Sequence, residues 1–435
     1  MYKSNISKNL NKNIFEIALS LLIVVYFYKL YFEFSIPISG DELNSILVYS
    51  SNIKTLFLKN FPHNAVFFHA IGYIKSIFFG FELTSFRIIT FFFVLLHFFI
   101  IKKLKYDELK ISLFFILLLV SNFSLYAGIY VGYIFSSSIF TVMFYLILKN
   151  EKEKNNKLVF FLLFVQLYNH LVNIYLVLPI LLGMFMIYDK KKFLYDSIIF
   201  FGIPIIIFYF FSIFLTGLSA LKISDLSYLG VLNNLPNSFG NIFIKGFEGI
   251  FFYEGISGVQ NFSLINTLRD LYFYDKFIFI MLNMSILTIF INLFRKKYIL
   301  FSTILIFHFL LFIVIDKQPP PRIFTGFFCF YLLFSFTLID NLNIKKNIKF
   351  FKFIFILLIS LFVFKFNFSK FIENGVYAND IRYEENLLSV KILKKNCNLV
   401  NYNFSEMQKK NFYFNYLNIC KKNFNLNEFL VYYRS

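Results

Sequence analysis

The sequence has little charge, no tryptophan and few cysteines. Charged residues make up 15% of its 435 residues, 58% are hydrophobic, and the mean hydropathy is +0.68. Soluble domains carry about 25% charged residues, so this composition excludes an ordinary soluble globular protein. Three cysteines without a CxxC pair are too few for a disulfide framework or a zinc site. Cys397 and Cys420 could pair if the C-terminal tail is extracytoplasmic, but we expect two free thiols.

Acidic residues are also scarce, with 24 Asp and Glu against 43 Lys and Arg, and the net charge is +19. In a soluble chain such an excess would indicate a nucleic-acid partner. Here the basic residues flank apolar runs. We therefore expect membrane lipids, and no nucleic acid, among the partners of this chain.

Apolar runs recur along most of the chain, and a helix needs about 20 such residues to cross the hydrocarbon layer. The runs lie near Ile14–Phe32, Thr84–Ile101, Ile111–Leu125, Tyr130–Leu148, Leu158–Tyr168, Leu171–Tyr188, Tyr195–Thr216, Lys276–Phe294, Tyr298–Ile315, Ile323–Asp340 and Phe350–Phe368. The sequence predicts an all-α polytopic membrane protein with about eleven transmembrane helices. A single tilted helix over residues 158–188 would instead give an even count.

The distribution of Lys and Arg predicts the orientation, because basic loops are retained in the cytoplasm. Six short segments with 50 residues in all hold 21 basic residues, whereas the 51-residue loop 33–83 holds three. The N-terminus is therefore expected in the cytoplasm. Residues 1–368 form the predicted transmembrane domain, with outer loops 33–83 and 219–275, and residues 369–435 form a small extracytoplasmic C-terminal domain.

Two of the extracytoplasmic segments have a predicted structure. Helical spacing of apolar residues predicts two interfacial helices in the first loop, one starting at Leu43 and one over Val66–Phe79. In the tail, a possible helix over Ser405–Leu417 lies between the alternating runs Asn398–Phe404 and Phe429–Tyr433. This pattern predicts a small α/β cap.

Ionisable residues at the membrane surface are the first candidates for a functional site. Asp41 and Glu42 follow the first predicted helix, where a carboxylate could act as a general base or simply cap the next helix. His63 and Arg322, each next to a proline at the outer face, could bind a lipid phosphate. The alternatives are that His63 is a polar interface residue and that Arg322 binds lipids nonspecifically. Arg87 could contact lipid headgroups or pair with a nearby carboxylate.

Three histidines lie further along the chain. His170 lies at the predicted reversal between two helices, where it could be a site residue or a polar turn. His97 and His308 lie within apolar stretches, and we expect them to be core residues.

The order of these features resembles the GT-C membrane glycosyltransferases, specifically the bacterial branch with the protein mannosyltransferase-like and lipid A aminoarabinose transferase-like enzymes. The similar stretches cover about residues 1–340 and are Gly40-Asp41-Glu42, Phe61–Phe68, Phe86-Arg87, Tyr126 to Tyr133, Leu167–His170 and Pro321-Arg322.

The resemblance implies transfer of a sugar from a polyprenyl-phosphate donor to a lipid, glycan or protein acceptor at the outer face of the bacterial cytoplasmic membrane. It implies that Asp41 is the catalytic base, that Glu42 orients it or binds a divalent cation, and that His63 and Arg322 bind the donor phosphate. Arg87, Tyr133 and His170 would support the site. The sequence leaves the involvement of a metal open. A lipid-linked oligosaccharide polymerase or ligase, or a transporter of lipid-linked sugars, is the alternative.

Overall fold

A computed structural model describes residues 20–31, 42–43, 45–53, 56, 65–153, 156–170, 173–216, 275–314, 324–341, 392–394, 397 and 406–420. This part of the chain is mostly helical and contains no strand. Its helices up to the first long gap are α1 (Ser20–Tyr31), α2 (Val66–Phe79), α3 (Leu83–Lys103), α4 (Glu108–Val120), α5 (Phe123–Ala127), α6 (Tyr133–Glu153), α7 (Lys157–Asn169), α8 (Ile174–Ile187), α9 (Lys190–Ser197) and α10 (Ile203–Thr216). The later helices are α11 (Lys276–Phe294), α12 (Ile299–Val314), α13 (Phe324–Asn341) and α14 (Glu406–Cys420).

Among the described residues, three helical stretches are long and apolar enough to cross a membrane. They are Leu83–Lys103, Lys190–Phe211 and Lys276–Phe294. The second stretch continues through a π-helical segment, Ile198–Gly202, that joins α9 to α10. These features fit an all-α membrane protein. The count of about eleven spans stays a prediction, since the other described apolar helices are shorter and residues 350–368 lie outside the described part.

Aspartates set the start of three of the described helices. Asp107, Asp189 and Asp275 each accept a backbone hydrogen bond from the first turn that follows, at 2.9–3.1 Å. Such caps satisfy N–H groups that have no partner inside the helix. Two of these caps, Asp107 and Asp189, lie in segments that are rich in lysine, so the polar connections agree with the positions of the predicted basic loops.

Residues 158–188 form two separate helices. Helix α7 ends at Asn169, and His170 has an extended backbone with φ −159° and ψ 124°. Helix α8 then begins at Ile174. A single long helix through this region is therefore excluded.

The chain divides into two compact units. The first consists of Met1–Leu56, Phe68–Ile134 and Ile344–Ser435, and the second of Phe57–Phe67 and Phe135–Asn343. The tail helix α14 thus belongs to the same unit as most of the first outer loop, whereas residues 57–67 of that loop belong to the second unit. The predicted boundary at residue 368 stays a prediction.

The first outer loop differs in part from the predicted pair of interfacial helices. Helix α2 has the predicted bounds, but the segment after Leu43 forms a π-helical turn at Ser45–Tyr49. The apolar side chains of Leu43, Ile46 and Leu47 are at most 1% exposed. Their periodic spacing therefore reflects packing inside the first unit rather than contact with a lipid surface.

The tail contains the predicted helix, which extends three residues further, to Cys420. Cys397 and Cys420 form a disulfide, with Cα atoms 5.8 Å apart, so the expectation of two free thiols was wrong. Helix α14 brings Cys420 back to within disulfide range of Cys397, a proximity that a sequence separation of 23 residues does not reveal. The two alternating runs of the predicted cap lie outside the described residues.

Candidate functional site: a buried ion pair in the first unit

Glu42 and Arg87 form an ion pair that is completely enclosed. Arg87 Nε donates to Glu42 Oε1 and Arg87 Nη2 donates to Oε2, both at 2.8 Å. Both side chains are 0% exposed. The planar guanidinium matches the two carboxylate oxygens, which makes this the strong two-point form of a salt bridge. Helix α3 thereby holds the segment that follows Asp41 in sequence.

A third chain segment joins this pair. The backbone N–H of Tyr130 donates to Glu42 Oε1 at 2.9 Å. Tyr130 lies just before α6, 88 residues from Glu42 in the sequence. Isolated buried charges are costly, and they persist in proteins where opposite charges and hydrogen bonds compensate them. Glu42 has both kinds of compensation.

The Tyr130 side chain connects this cluster to helix α2. Its hydroxyl lies 2.9 Å from Ser50 Oγ and donates to the Phe68 carbonyl at 3.4 Å. Its ring stacks on Phe68 with centroids 4.5 Å apart and meets the Phe86 ring edge-on at 5.0 Å. The Tyr130 side chain therefore contacts three segments, which are the turn that contains Ser50, helix α2 and the start of α3.

Gly72 makes this arrangement possible. A Cβ atom at this position would lie 1.8 Å from the Tyr130 hydroxyl and 2.7 Å from Ser50 Oγ. Those distances are far below van der Waals contact, so any larger residue would displace the tyrosine. Helix α2 can approach Tyr130 only with a glycine here.

His69 and Lys75 extend the cluster along α2. The His69 ring stacks on Tyr49 at 5.1 Å and lies 6.0 Å from the Tyr130 ring. Lys75 Nζ donates to the carbonyls of Gly80 and Glu82 at 2.7 and 3.1 Å. Burial lowers the pKa of Lys75 from 10.5 to about 8, partly opposed by the Glu82 carboxylate. This lysine is thus part of the packed structure rather than a solvated surface charge.

Two of the predicted site residues are in contact in the structure, and three others lie outside the described residues. Glu42 and Arg87 form an ion pair. Of the two roles predicted for Arg87, contact with lipid headgroups or pairing with a carboxylate, the structure has the second. Asp41, His63 and Arg322 lie outside the described residues.

Tyr133 and His170 each occupy the end of a helix. Tyr133 begins α6 and contacts the Tyr126 ring edge-on at 5.1 Å. His170 follows the last residue of α7, and its backbone N–H donates to the Gln166 carbonyl at 3.2 Å. Neither side chain is fully buried.

A carboxamide network fixes the turn that carries His170. Asn169 Nδ2 and Asn173 Nδ2 donate to Ser136 Oγ at 2.7 and 3.0 Å, and Gln166 Nε2 donates to the Ser136 carbonyl at 2.6 Å. All four residues are at most 3% exposed. The turn is therefore tied to α6 by side chains that the sequence analysis did not single out.

Sequence reasoning also missed Tyr130, Ser50 and Gly72. Of the tyrosines between Tyr126 and Tyr133, it named only Tyr133 as a supporting residue, whereas the backbone N–H that contacts Glu42 belongs to Tyr130. Gly72 was the available signal, since a glycine inside an apolar helix indicates a close approach of another chain segment. His97 and His308 are both 0% exposed, which confirms the expectation that they are core residues.

The residues around Glu42 do not suit a divalent cation. Both carboxylate oxygens contact the Arg87 guanidinium, whose positive charge would repel a metal ion placed there. No group of three potential His, Cys, Asp or Glu ligands occurs among the described residues. Glu42 is thus better suited to holding its segment in place than to binding a metal.

The comparisons with known proteins identify no relative. No family model matches the chain, and neither the curated proteins nor the solved structures contain a match.

Proposed function

We propose that this chain is a membrane glycosyltransferase of the GT-C type, acting at the outer face of the bacterial cytoplasmic membrane. It moves a sugar from a polyprenyl-phosphate donor to the hydroxyl of a lipid, glycan or protein acceptor. The observation that carries the proposal is the enclosed Glu42–Arg87 pair. It fixes the residue next to Asp41 on a mainly helical, apolar scaffold.

The chemistry assigned to this site needs one base and several cations. The Asp41 carboxylate takes the proton from the acceptor hydroxyl while the hydroxyl oxygen forms a bond to the anomeric carbon of the sugar. The bond between that carbon and the donor phosphate oxygen breaks, and the lipid phosphate leaves with the electron pair. His63 and Arg322 offset the negative charge that develops on it. The sugar configuration is inverted in this single displacement.

Glu42 acts in this proposal as a positioning residue. Its oxygens contact Arg87 and the Tyr130 N–H, so they are already engaged and cannot readily accept the acceptor proton. Asp41 directly precedes Glu42 in the sequence. Because the contacts of Glu42 hold its backbone in place, they limit the positions that the Asp41 carboxylate can reach. The ion pair therefore supports catalysis by restricting the backbone.

The disulfide supports the proposed orientation. Disulfides persist in oxidising compartments and are rare in the cytosol. The Cys397–Cys420 pair therefore favours a tail on the extracytoplasmic side, which agrees with a cytoplasmic N-terminus and an odd number of spans.

The test is the variant Asp41→Asn in membranes supplied with radiolabelled polyprenyl-phosphate sugars. We expect transfer to fall by about 100-fold or more, the usual contribution of a general base. The matched control is Asp340→Asn, which removes an exposed aspartate at the end of α13 and should leave transfer unchanged. Normal transfer by Asp41→Asn would refute the assigned base, whereas movement of label across the membrane without a new glycosidic bond would favour the transporter alternative.

A further inference from the structure

Asp196 is a buried carboxylate in the second unit. It lies in α9, six residues into the apolar stretch Lys190–Phe211, and is 2% exposed. Its Oδ2 atom makes no hydrogen bond, and no ion pair involves Asp196 among the described residues. A charge in this setting is expensive, and such residues in membrane proteins commonly mark binding sites.

The contacts of the neighbouring residues show what Asp196 faces. Phe193 and Phe200 lie three residues before and four residues after it, on the same side of the helix. Phe193 packs edge-on against Phe160 with centroids 5.2 Å apart, and Lys157 Nζ lies 5.7 Å from the centroid of the Phe200 ring. The two helices thus run antiparallel at this contact, and Asp196 lies opposite the first turn of α7.

A second polar atom at the same end of α7 lacks a partner. Asn156 occupies the N-cap position of α7 but makes no capping hydrogen bond with its side chain. It is 4% exposed, and its Oδ1 atom has no hydrogen-bond donor. Two buried oxygen acceptors, one of them charged, therefore border the start of this helix.

The surroundings combine a cation with apolar surface. Lys157 is exposed, so its side chain is free to leave the Phe200 ring and admit a ligand. Large apolar side chains on both helices remain exposed within about one turn of this place. They are Leu158 (51%), Phe161 (42%), Leu194 (51%) and Ile198 (57%). A ligand that fits here carries hydrogen-bond donors with positive charge, an anionic group for the lysine, and hydrocarbon chains.

We infer that Asp196, Asn156 and Lys157 form a binding site for the headgroup of an aminophospholipid. The primary ammonium donates to the Asp196 carboxylate and to Asn156 Oδ1, and the phosphate of the same headgroup contacts the Lys157 ammonium. The acyl chains lie along the exposed apolar side chains of α7 and α9. The predicted orientation places this site in the cytoplasmic leaflet, because it adjoins two of the lysine-rich segments.

The test compares two lipids with identical acyl chains. The delipidated full-length protein in detergent is titrated with phosphatidylethanolamine or with phosphatidylcholine, and lipid retention is measured by native mass spectrometry. The quaternary ammonium of phosphatidylcholine has no N–H donors. We expect about tenfold weaker retention of phosphatidylcholine, the scale of one lost hydrogen bond to a charged group. Equal retention of the two lipids would overturn the inference.

Variants then locate the site. Asp196→Asn should make the retention of phosphatidylethanolamine and phosphatidylcholine nearly equal. Asn156→Ala should lower the preference for phosphatidylethanolamine while preserving the charge of Asp196. The exposed Asp340→Asn should leave it at about tenfold, as in the unaltered chain. An unchanged preference in Asp196→Asn contradicts the assignment. If that variant does not fold, an unchanged preference in Asn156→Ala contradicts it instead.

A competition experiment tells whether the site binds a lipid headgroup or any small primary ammonium. Free ethanolamine is added at the same concentration as the lipid. We expect it to displace no phosphatidylethanolamine, since it lacks the acyl chains and the phosphate. Complete displacement would overturn the assignment to a lipid. None of these measurements depends on sugar transfer, so their outcome is separate from that of the proposed enzyme activity.

Discussion

Removing Arg87 should destabilise the folded protein strongly. The variant Arg87→Met keeps most of the side-chain length but leaves the Glu42 carboxylate buried, with the Tyr130 N–H still donating to it at 2.9 Å. Breaking one partner of a buried ion pair costs about 3–5 kcal/mol, because the remaining charge is uncompensated. Total stabilities of domains are about 5–15 kcal/mol, so this loss is a large fraction. We expect the free energy of unfolding to fall by that amount.

The double variant Glu42→Gln with Arg87→Met separates the charge effect from loss of packing. Neither residue is then charged, and the glutamine oxygen can still accept from Tyr130. Replacing both partners of a buried pair is often close to neutral. The double variant should therefore be more stable than Arg87→Met by about 2 kcal/mol or more, because it removes most of the cost of the unpaired buried carboxylate.

The assay is unfolding in mixed micelles with increasing dodecyl sulfate, followed by the far-ultraviolet circular dichroism of the helices. Arg295→Met is the control, because Arg295 is exposed at the end of α11 and should change stability by less than about 0.5 kcal/mol. An Arg87→Met variant as stable as this control would refute the reasoning. So would a double variant that is no more stable than Arg87→Met.

Three further outcomes follow from the first unit and the tail. Gly72→Ala should lower the thermal unfolding temperature, because its Cβ would lie 1.8 Å from the Tyr130 hydroxyl. The unreduced, denatured chain should accept one maleimide-polyethylene glycol and the reduced chain three, since Cys397 and Cys420 are paired. Reductive methylation of Lys75, followed by mass spectrometry, should rise with a midpoint near pH 8, because burial lowers its pKa to about 8. The unfolded chain then binds more protons than the folded chain from pH 8 to 10.5, so the contribution of Lys75 to stability rises with pH in that window.

Each of these predictions has its own control. Gly202→Ala should be tolerated, because the nearest atom to its added Cβ lies 3.8 Å away. Three adducts before reduction would contradict the disulfide. A methylation midpoint for Lys75 near the ordinary lysine pKa of about 10.4 would contradict its burial.

Apolar periodicity predicted the positions of most helices well. Helices α2 and α11 have the predicted bounds, and α7, α8 and α13 differ from theirs by at most three residues at either end. Such runs are informative because a membrane imposes both a minimum length and an apolar surface. The pattern could not distinguish a helix on a lipid surface from one packed inside protein. For that reason the apolar side chains of Leu43, Ile46 and Leu47 were predicted to be interfacial although they are buried.

The candidate site could be predicted only in part. Charge and position indicated Glu42 and Arg87, because ionisable residues beside apolar runs are rare and need partners. Tyr130 could not be chosen over Tyr126 or Tyr133, since its main link to Glu42 is a backbone N–H that any residue supplies. The disulfide was missed for a similar reason, because the distance between two cysteines depends on how the intervening chain folds.

The most direct test of the central claim is the accessibility of residue 41 from the two sides of the membrane. A single Asp41→Cys variant is suitable in the natural sequence, because Cys329 is buried and the other two cysteines are paired. A membrane-impermeant maleimide is applied to intact cells and to inverted vesicles. Labelling from outside in cells, and none from the cytoplasmic side, is the result predicted for a transferase of the outer face. Labelling only from the cytoplasmic side would contradict it.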